Sequence, residues 1–138
     1  MPLEASHALD GRLADDDVEC RLLVRAILAP ESATMTIVGE AADGEQALAL
    51  VLRTRPDIVI SDLLMPRLAG IGLTRLIRIR QELRRTKIII ISAHTEDAYR
   101  LMASDSGADA FVSKQMLATT LLSVIRDVMR RQLSGGSS

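Results

Sequence analysis

Three adjacent aspartates, Asp15, Asp16 and Asp17, stand just ahead of an apolar-periodic run in "GRLADDDVECRLLVRAIL". Three more polar residues follow short apolar runs: Asp62 after "DIVIS", Ser92 after "KIIII" and Lys114 after "DAFVS". Carboxylates held side by side raise one another's pKa unless a cation sits among them. An all-oxygen donor set suits a hard divalent ion, Mg²⁺ or Mn²⁺, and Mg²⁺ typically combines one or two carboxylates with waters and phosphate oxygens. A carboxylate can also be the nucleophile, forming an acyl phosphate. The lysine offers a mobile positive charge to a phosphate oxygen, and the serine offers a short neutral donor. Together they suit phosphoryl transfer, where positioning and charge neutralisation are most of the catalysis.

For these residues to meet, each apolar run must be a strand ending at one rim. The chain alternates accordingly. "TMTIVGEA" is β-rich, and "GEQALALVLRTR" has helical spacing at Ala47, Leu48, Val51 and Leu52. "PDIVISD" is a short apolar run opened by Pro56, and "IGLTRLIRIRQELRR" reads as a helix with its arginines on one side. "KIIIIS" is the clearest strand. "TEDAYRLMASDSG" reads as a helix with Thr95 as N-cap and Gly107 as stop. "DAFVSK" is a short strand, and "QMLATTLLSVIRDVMRRQ" is a long amphipathic last helix. Continuous apolar strands alternating with helices imply βαβ units and a parallel sheet covered on both faces. The expected fold is one flavodoxin-like doubly wound sheet of five parallel strands, order 2-1-3-4-5, with five helices; such sheets bind ligands beyond the carboxyl ends of their strands. The segment before the aspartates, "HALDGRLA", fits badly, because Asp10, Gly11 and Arg12 are poor occupants of a buried strand. A short or distorted first strand is expected there. Residues 1–133 read as one domain and 134–138, "SGGSS", as a flexible tail or linker.

Composition narrows the function classes. The chain has 138 residues, which suits one compact domain. Aromatics are only 1%, so the core must be built from Leu, Ile, Val, Ala and Met. A formal net charge of −1 gives no excess to attract nucleic acid or an anionic membrane. The single cysteine, Cys20, excludes an internal disulfide framework and fits a reducing compartment as a small buried apolar residue. No signal peptide is evident, and no apolar run approaches the ~20 residues of a membrane span. A cytoplasmic location without membrane partners is expected.

"ADDD", "GEAADGEQAL", "PDIVISDLLMPRLAG", "IIIISA" and "GADAFVSK" occur in order. With these pieces the sequence resembles the receiver domains of bacterial two-component response regulators, from about Ala14 to the end of the last helix. The resemblance implies a cytoplasmic signalling receiver, with self-phosphorylation and self-dephosphorylation chemistry but no enzyme turnover. It implies Asp62 as phosphoacceptor, and Asp15, Asp16, Asp62 and the backbone carbonyl of Leu64 as ligands of Mg²⁺ or Mn²⁺, Asp16 being the more direct of the acidic pair. It further implies Ser92 and Lys114 as contacts of the phosphoryl group and Phe111 as the switch aromatic. The donor would be a phosphohistidine on a sensor histidine kinase or phosphotransfer protein. The faces around the fourth and fifth helices would respond by dimerisation or output contacts.

Counting within that pattern divides the aspartates. In the family an arginine often falls five places after the second acid; from Asp16 that place is Arg21. Cys20, Val24, Ile27 and Leu28 then share a buried helix face. Asp15 and Asp16 therefore face the metal, and Asp17 is the N-cap or a first-turn acid, favoured by the helix dipole.

Three departures from the family pattern matter. Ala69 replaces the acidic residue common before Gly70. Gln115 replaces the proline after Lys114, so the bond before it is expected to be trans, a cis bond without proline costing ~3 kcal/mol. Phe111 lacks the hydroxyl of the family's tyrosine, so any switch there works by packing. His94 and Leu64 flank the rim and are read as tuning access of water, which predicts slow autodephosphorylation. The basic residues in "RLIRIRQELRRTK" have the spacing of a solvated helix face without interleaved aromatics, so direct nucleic-acid binding by this chain is not expected. Two rivals remain. One is an aspartyl-nucleophile phosphatase or phosphotransferase, disfavoured because Leu64 stands where a second aspartate would serve as acid/base. The other is a degenerate, unphosphorylated receiver acting only as an interaction module.

Overall fold

A computed structural model describes residues 9–135, and the side chains of residues 9–131 within them. Ten regular elements alternate: β1 (Leu9–Ala14), α1 (Val18–Leu28), β2 (Met35–Ala41), α2 (Gly44–Thr54), β3 (Ile58–Asp62), α3 (Gly70–Arg78), β4 (Lys87–Ser92), α4 (Asp97–Ser106), β5 (Ala110–Ser113) and α5 (Leu117–Gly135). Short 3₁₀ turns cover Ala29–Glu31, Gln81–Leu83 and Lys114–Met116. All strand pairings are parallel and the sheet order is β2-β1-β3-β4-β5, as the alternation required.

Two cores cover the two faces, and β4 shows why. Successive strand residues point to opposite faces. Ile89 and Ile91 join Leu13, Val24 and Leu121 on the α1/α5 side. Ile88 and Ile90 join Val51, Leu73 and Ile77 on the other side, and each of the four isoleucines is at most 1% exposed. Burying such a side chain contributes about 1.5–3 kcal/mol. The four-isoleucine run therefore fixes the middle of the sheet and delivers Ser92 to its carboxyl end.

The poor first strand has a specific solution. β1 is not short, at six residues. Its irregularity lies in the pairing: Gly11 aligns with Ile37 and Arg12 with Gly39, which leaves Val38 as an extra residue on β2. Glycines make the room that the side chains need. A Cβ at Gly11 would stand 2.7 Å from Met35 Cε, and one at Gly39 would stand 2.9 Å from Arg12 Cδ. Arg12 is buried, with Nη1 donating to Gly11 O at 3.1 Å and Nε making no hydrogen bond.

Helix boundaries differ from the sequence expectation at three helices. The helix expected across residues 71–85 ends at Arg78; Arg80 is extended, and the 3₁₀ turn then drops Leu83 into the core. The arginines there are not all on a solvated face. Arg78 donates from Nε to Gly107 O (2.8 Å), from Nη1 to Thr86 O (2.8 Å) and from Nη2 to Asp109 Oδ2 (2.7 Å). Thr95 does not cap α4: Glu96 holds the cap position, without a side-chain bond, and Gly107 ends the helix in the left-handed region with φ 106°. The peptide bonds of the described residues are all trans, including the one before Gln115. α5 runs to Gly135, into the stretch read as tail; residues 136–138 of that tail and 1–8 of the domain lie outside the described residues.

Candidate functional site: an acidic cluster at the carboxyl rim

Asp15 follows the last residue of β1 and is completely buried. Its backbone is held on both sides. Its N–H donates to Ala41 O at the end of β2 (3.0 Å), and its carbonyl accepts from Arg21 Nη1 (2.5 Å). Asp15 Oδ1 accepts from the Asp17 N–H at 2.9 Å, leaving Oδ2 turned to the interior of the site. Asp17 caps α1, its Oδ1 accepting from the Glu19 N–H at 3.0 Å. Asp16, between them, is exposed. One carboxylate oxygen from each of Asp15, Asp16 and Asp62 lies within 4.8 Å of the others. Of the run of three, Asp15 and Asp16 stand in the cluster and Asp17 stands at the helix start.

Asp62 ends β3 and is buried. The loop after it is tightly docked. Leu63 N–H donates to Ile91 O (2.9 Å), and Gly70 N–H donates to Leu63 O (2.8 Å). A Cβ at Gly70 would stand 2.1 Å from Asp62 O, so only glycine lets α3 begin this close to the strand end. Arg67 sits at φ 71° and donates to Asp43 Oδ2 at 3.2 Å, while Asp43 Oδ1 caps α2 through the Gln46 N–H at 2.8 Å. Sequence reasoning passed over Asp43; an acid just before a helical run was the signal for it. Leu64 projects from the same loop, 45% exposed, and Met65 is buried beneath it. The position two residues past Asp62 holds no second carboxylate.

Lys114 follows β5 and joins the acids. Its Nζ lies 3.0 Å from Asp15 Oδ2 and 3.3 Å from Asp62 Oδ2. Burial, then the charge of Asp15, raises the Asp62 pKa to about 6, and Lys114 offsets only part of the rise. Burial also works against the Lys114 charge, but contact with Asp15 and the fields of both carboxylates outweigh it and hold the ammonium above its ordinary value. Cys20, under the cluster, is pushed up to about 12 by burial and by Asp15, so it stays a thiol and packs as an apolar residue.

The acids retain capacity for a cation. Asp15 Oδ2 meets Lys114 as an ion pair but accepts no hydrogen bond of proper geometry, an expensive state for a fully buried carboxylate oxygen. Three carboxylates and no nitrogen or sulfur ligand match a hard divalent ion.

Ser92 and His94 lie along the same rim, and Phe111 stands two residues short of it on β5. Ser92 is buried at the end of β4, opposite Ser113, and its Oγ accepts from the His94 N–H at 2.8 Å. His94 is exposed, its ring 5.4 Å from that of Tyr99. Phe111 pairs with Ile90 and is half-buried against the α2–α4 core, with the Arg100 guanidinium 4.7 Å from its ring centre. Leu64 and His94 therefore both stand at the solvent side. The structure also ties in a pair whose role the sequence reading did not assign: Arg21 Nε donates to Glu40 Oε1 of β2 at 3.0 Å.

Sequence comparison matches the response regulator receiver domain over residues 12–126. The Bacillus subtilis (strain 168) protein described as the uncharacterized transcriptional regulatory protein YxjL is 33% identical over 118 residues, 86% of this chain and 53% of that protein. The chain spans about half the length of the curated relatives it matches. Among solved structures, a LuxR-family two-component response regulator from Aurantimonas sp. SI85-9A1 superposes with a TM-score of 0.82 at 31% identity, covering 90% of this chain and 86% of that one. The signal receiver domain of the putative response regulator NarL from Mycobacterium tuberculosis gives 0.78 at 29% identity, covering 91% and 97%.

Proposed function

This chain belongs to the response regulator receiver domain family, and from that footing we propose that it is a phospho-receiver of a two-component pathway with Asp62 as the phosphoacceptor. The observation that carries the reading is the juxtaposition of Asp62 with Lys114 at 3.3 Å and with the oxygens of Asp15 and Asp16 within 4.8 Å. A carboxylate oxygen of Asp62 attacks phosphorus. The bond from phosphorus to the imidazole nitrogen of a phosphohistidine breaks, and its electron pair leaves with the imidazole, which takes up a proton. The product is an acyl phosphate on Asp62. A divalent cation, Mg²⁺ or Mn²⁺, held by Asp15, Asp16, Asp62 and the Leu64 carbonyl, supplies charge neutralisation when bound.

Lys114 and Ser92 then serve the new phosphoryl group. The ammonium leaves its carboxylate partners for a phosphoryl oxygen, and the Ser92 hydroxyl donates to another. Their movement biases Phe111, and with it the faces of α4 and α5, between two arrangements. Those faces meet a second copy or a downstream partner. Leu64 and His94 limit the approach of water to the acyl phosphate. A sensor histidine kinase or phosphotransfer protein is the donor in this reading, and the setting is cytoplasmic. Intact mass after treatment with acetyl phosphate and Mg²⁺ tests it: the wild type gains one phosphoryl group and Asp62→Asn gains none. Equal gain by both, or none by the wild type, overturns it.

A further inference from the structure

We infer that Arg21 is a positioning residue for divalent-cation binding, acting through the backbone of Asp15; this rests on the metal-site reading above. Asp15 is the most constrained acid of the cluster. Its N–H is fixed to the end of β2 through Ala41 O, and its carbonyl accepts from Arg21 Nη1. The other side of the Arg21 fork is occupied by Glu40, one residue before Ala41 on the same strand. Glu40 is itself shared, its second oxygen taken by Arg25 Nε. The result is a closed bracket: β2 holds the Asp15 N–H directly and the Asp15 carbonyl through Glu40 and Arg21.

That bracket has a chemical consequence at the carboxylate. With the peptide on each side of the Cα fixed, and Oδ1 taken by the Asp17 N–H, the carboxylate presents Oδ2 to the cluster, where it meets Lys114. Groups that orient a ligand without touching the ion raise affinity by removing the cost of ordering it. Arg21 is four-fifths buried, with a side-chain exposure of 19%, so its planar fork is held by packing as well as by its partners. Lysine, with one ammonium and no fork, cannot serve the carbonyl and Glu40 together in this way.

Arg25 supplies the control. It also pairs with Glu40, and it donates to Ile37 O, but it makes no contact with Asp15. Mn²⁺ binding, read by the loss of its free EPR signal, is compared for wild type, Arg21→Ala, Arg25→Ala and Arg21→Lys, with thermal melting of each in EDTA. Arg21→Ala is expected to weaken Mn²⁺ binding about tenfold, and Arg25→Ala to leave it within about twofold while its melting temperature falls comparably. If Arg21→Ala does not fold, Arg21→Lys decides: weaker binding at a near-native melting temperature supports the inference, and native binding overturns it. Equal binding by Arg21→Ala and Arg25→Ala overturns it as well. A wild type that takes up no Mn²⁺ overturns the metal-site reading and this inference together; a wild type that binds as tightly as Arg21→Ala overturns the inference alone.

Discussion

The Lys114 ammonium lies nearer to Asp15 than to Asp62, 3.0 Å against 3.3 Å. In the absence of a divalent cation the lysine is therefore the counter-charge of the acidic cluster, and an incoming cation meets its repulsion. Lys114→Met should bind Mn²⁺ about fivefold more tightly, the effect of removing ~1 kcal/mol of like-charge repulsion. The same variant should accumulate less phosphoryl group from acetyl phosphate and melt at a lower temperature in EDTA. Weaker Mn²⁺ binding would show that the lysine assembles the site rather than competing within it.

Asp62 carries a stability cost with a definite pH window. Its folded pKa is about 6, against an ordinary 3.8. Between these values the folded chain binds more protons than the unfolded chain, so stability falls as pH rises and the loss is complete above about pH 6. The shift corresponds to ~3 kcal/mol at most. Asp62→Asn should be more stable than wild type to urea at pH 7.5 in EDTA, and the gap should close below about pH 4. A gap that does not change with pH would assign the effect to packing instead.

Arg12 is a buried cation with an unpartnered Nε and a loose pair to Asp10 at 3.5 Å. Removing such a charge in favour of an apolar side chain of similar length is often neutral or stabilising. Arg12→Met should keep or raise stability by about 1 kcal/mol in chemical denaturation. A loss of that size would mean that Nη1 and the Gly11 carbonyl are worth more than the burial costs.

Arg78 binds three segments at the end of the sheet away from the site: the start of β4, the end of α4 and the turn into β5. Asp109, its partner, also accepts from the Ile88 N–H at 2.8 Å. Arg78→Ala should cost ~2–3 kcal/mol in urea denaturation, since it leaves the Thr86 and Gly107 carbonyls without this donor and takes the guanidinium from a half-buried carboxylate that keeps only the Ile88 N–H and the more distant Lys87. Mn²⁺ affinity should stay within about twofold of wild type. A larger change in affinity would mean that the two ends of the sheet communicate.

Leu64 is exposed at the rim two residues past Asp62, and on the proposed reading it is expected to set the lifetime of the acyl phosphate. In purified protein with Mg²⁺, the phosphoryl group should persist for minutes or longer, and Leu64→Asn should shorten that lifetime by admitting an ordered water. Loss within seconds from the wild type, followed by intact mass, would remove Leu64 from the account.

The alternation of apolar runs was enough to place the ends of β3, β4 and β5, because a buried parallel strand leaves an unbroken apolar signature. The rim residues could be found for the same reason: Asp62, Ser92 and Lys114 each follow such a run. Local patterns were silent where a long-range contact decides. Arg12 reads as unfit for a buried strand until Gly39, 27 residues on, supplies the space for its stem. Arg78 reads as one of a solvated row, yet its partners are Thr86, Gly107 and Asp109. The helix around it reads too long, since the periodicity continues past Arg78 while the chain turns at Arg80 to bury Leu83. Arg21 could be counted into place, but its bond to the Asp15 carbonyl required the fold.

The extra residue in β2 also bears on solubility. A sheet of this kind has two open edges, and a long regular edge strand is a template for pairing with another chain. Here β5 offers only four residues. β2 is longer, but its spacing is broken at Val38, and Arg25 lies against it with Nη1 on the Ile37 carbonyl at 3.3 Å. An edge with a kink and a charge cannot extend smoothly into a neighbour's sheet. Restoring a regular β2 by deleting Val38 should turn that edge into a seed for fibrils.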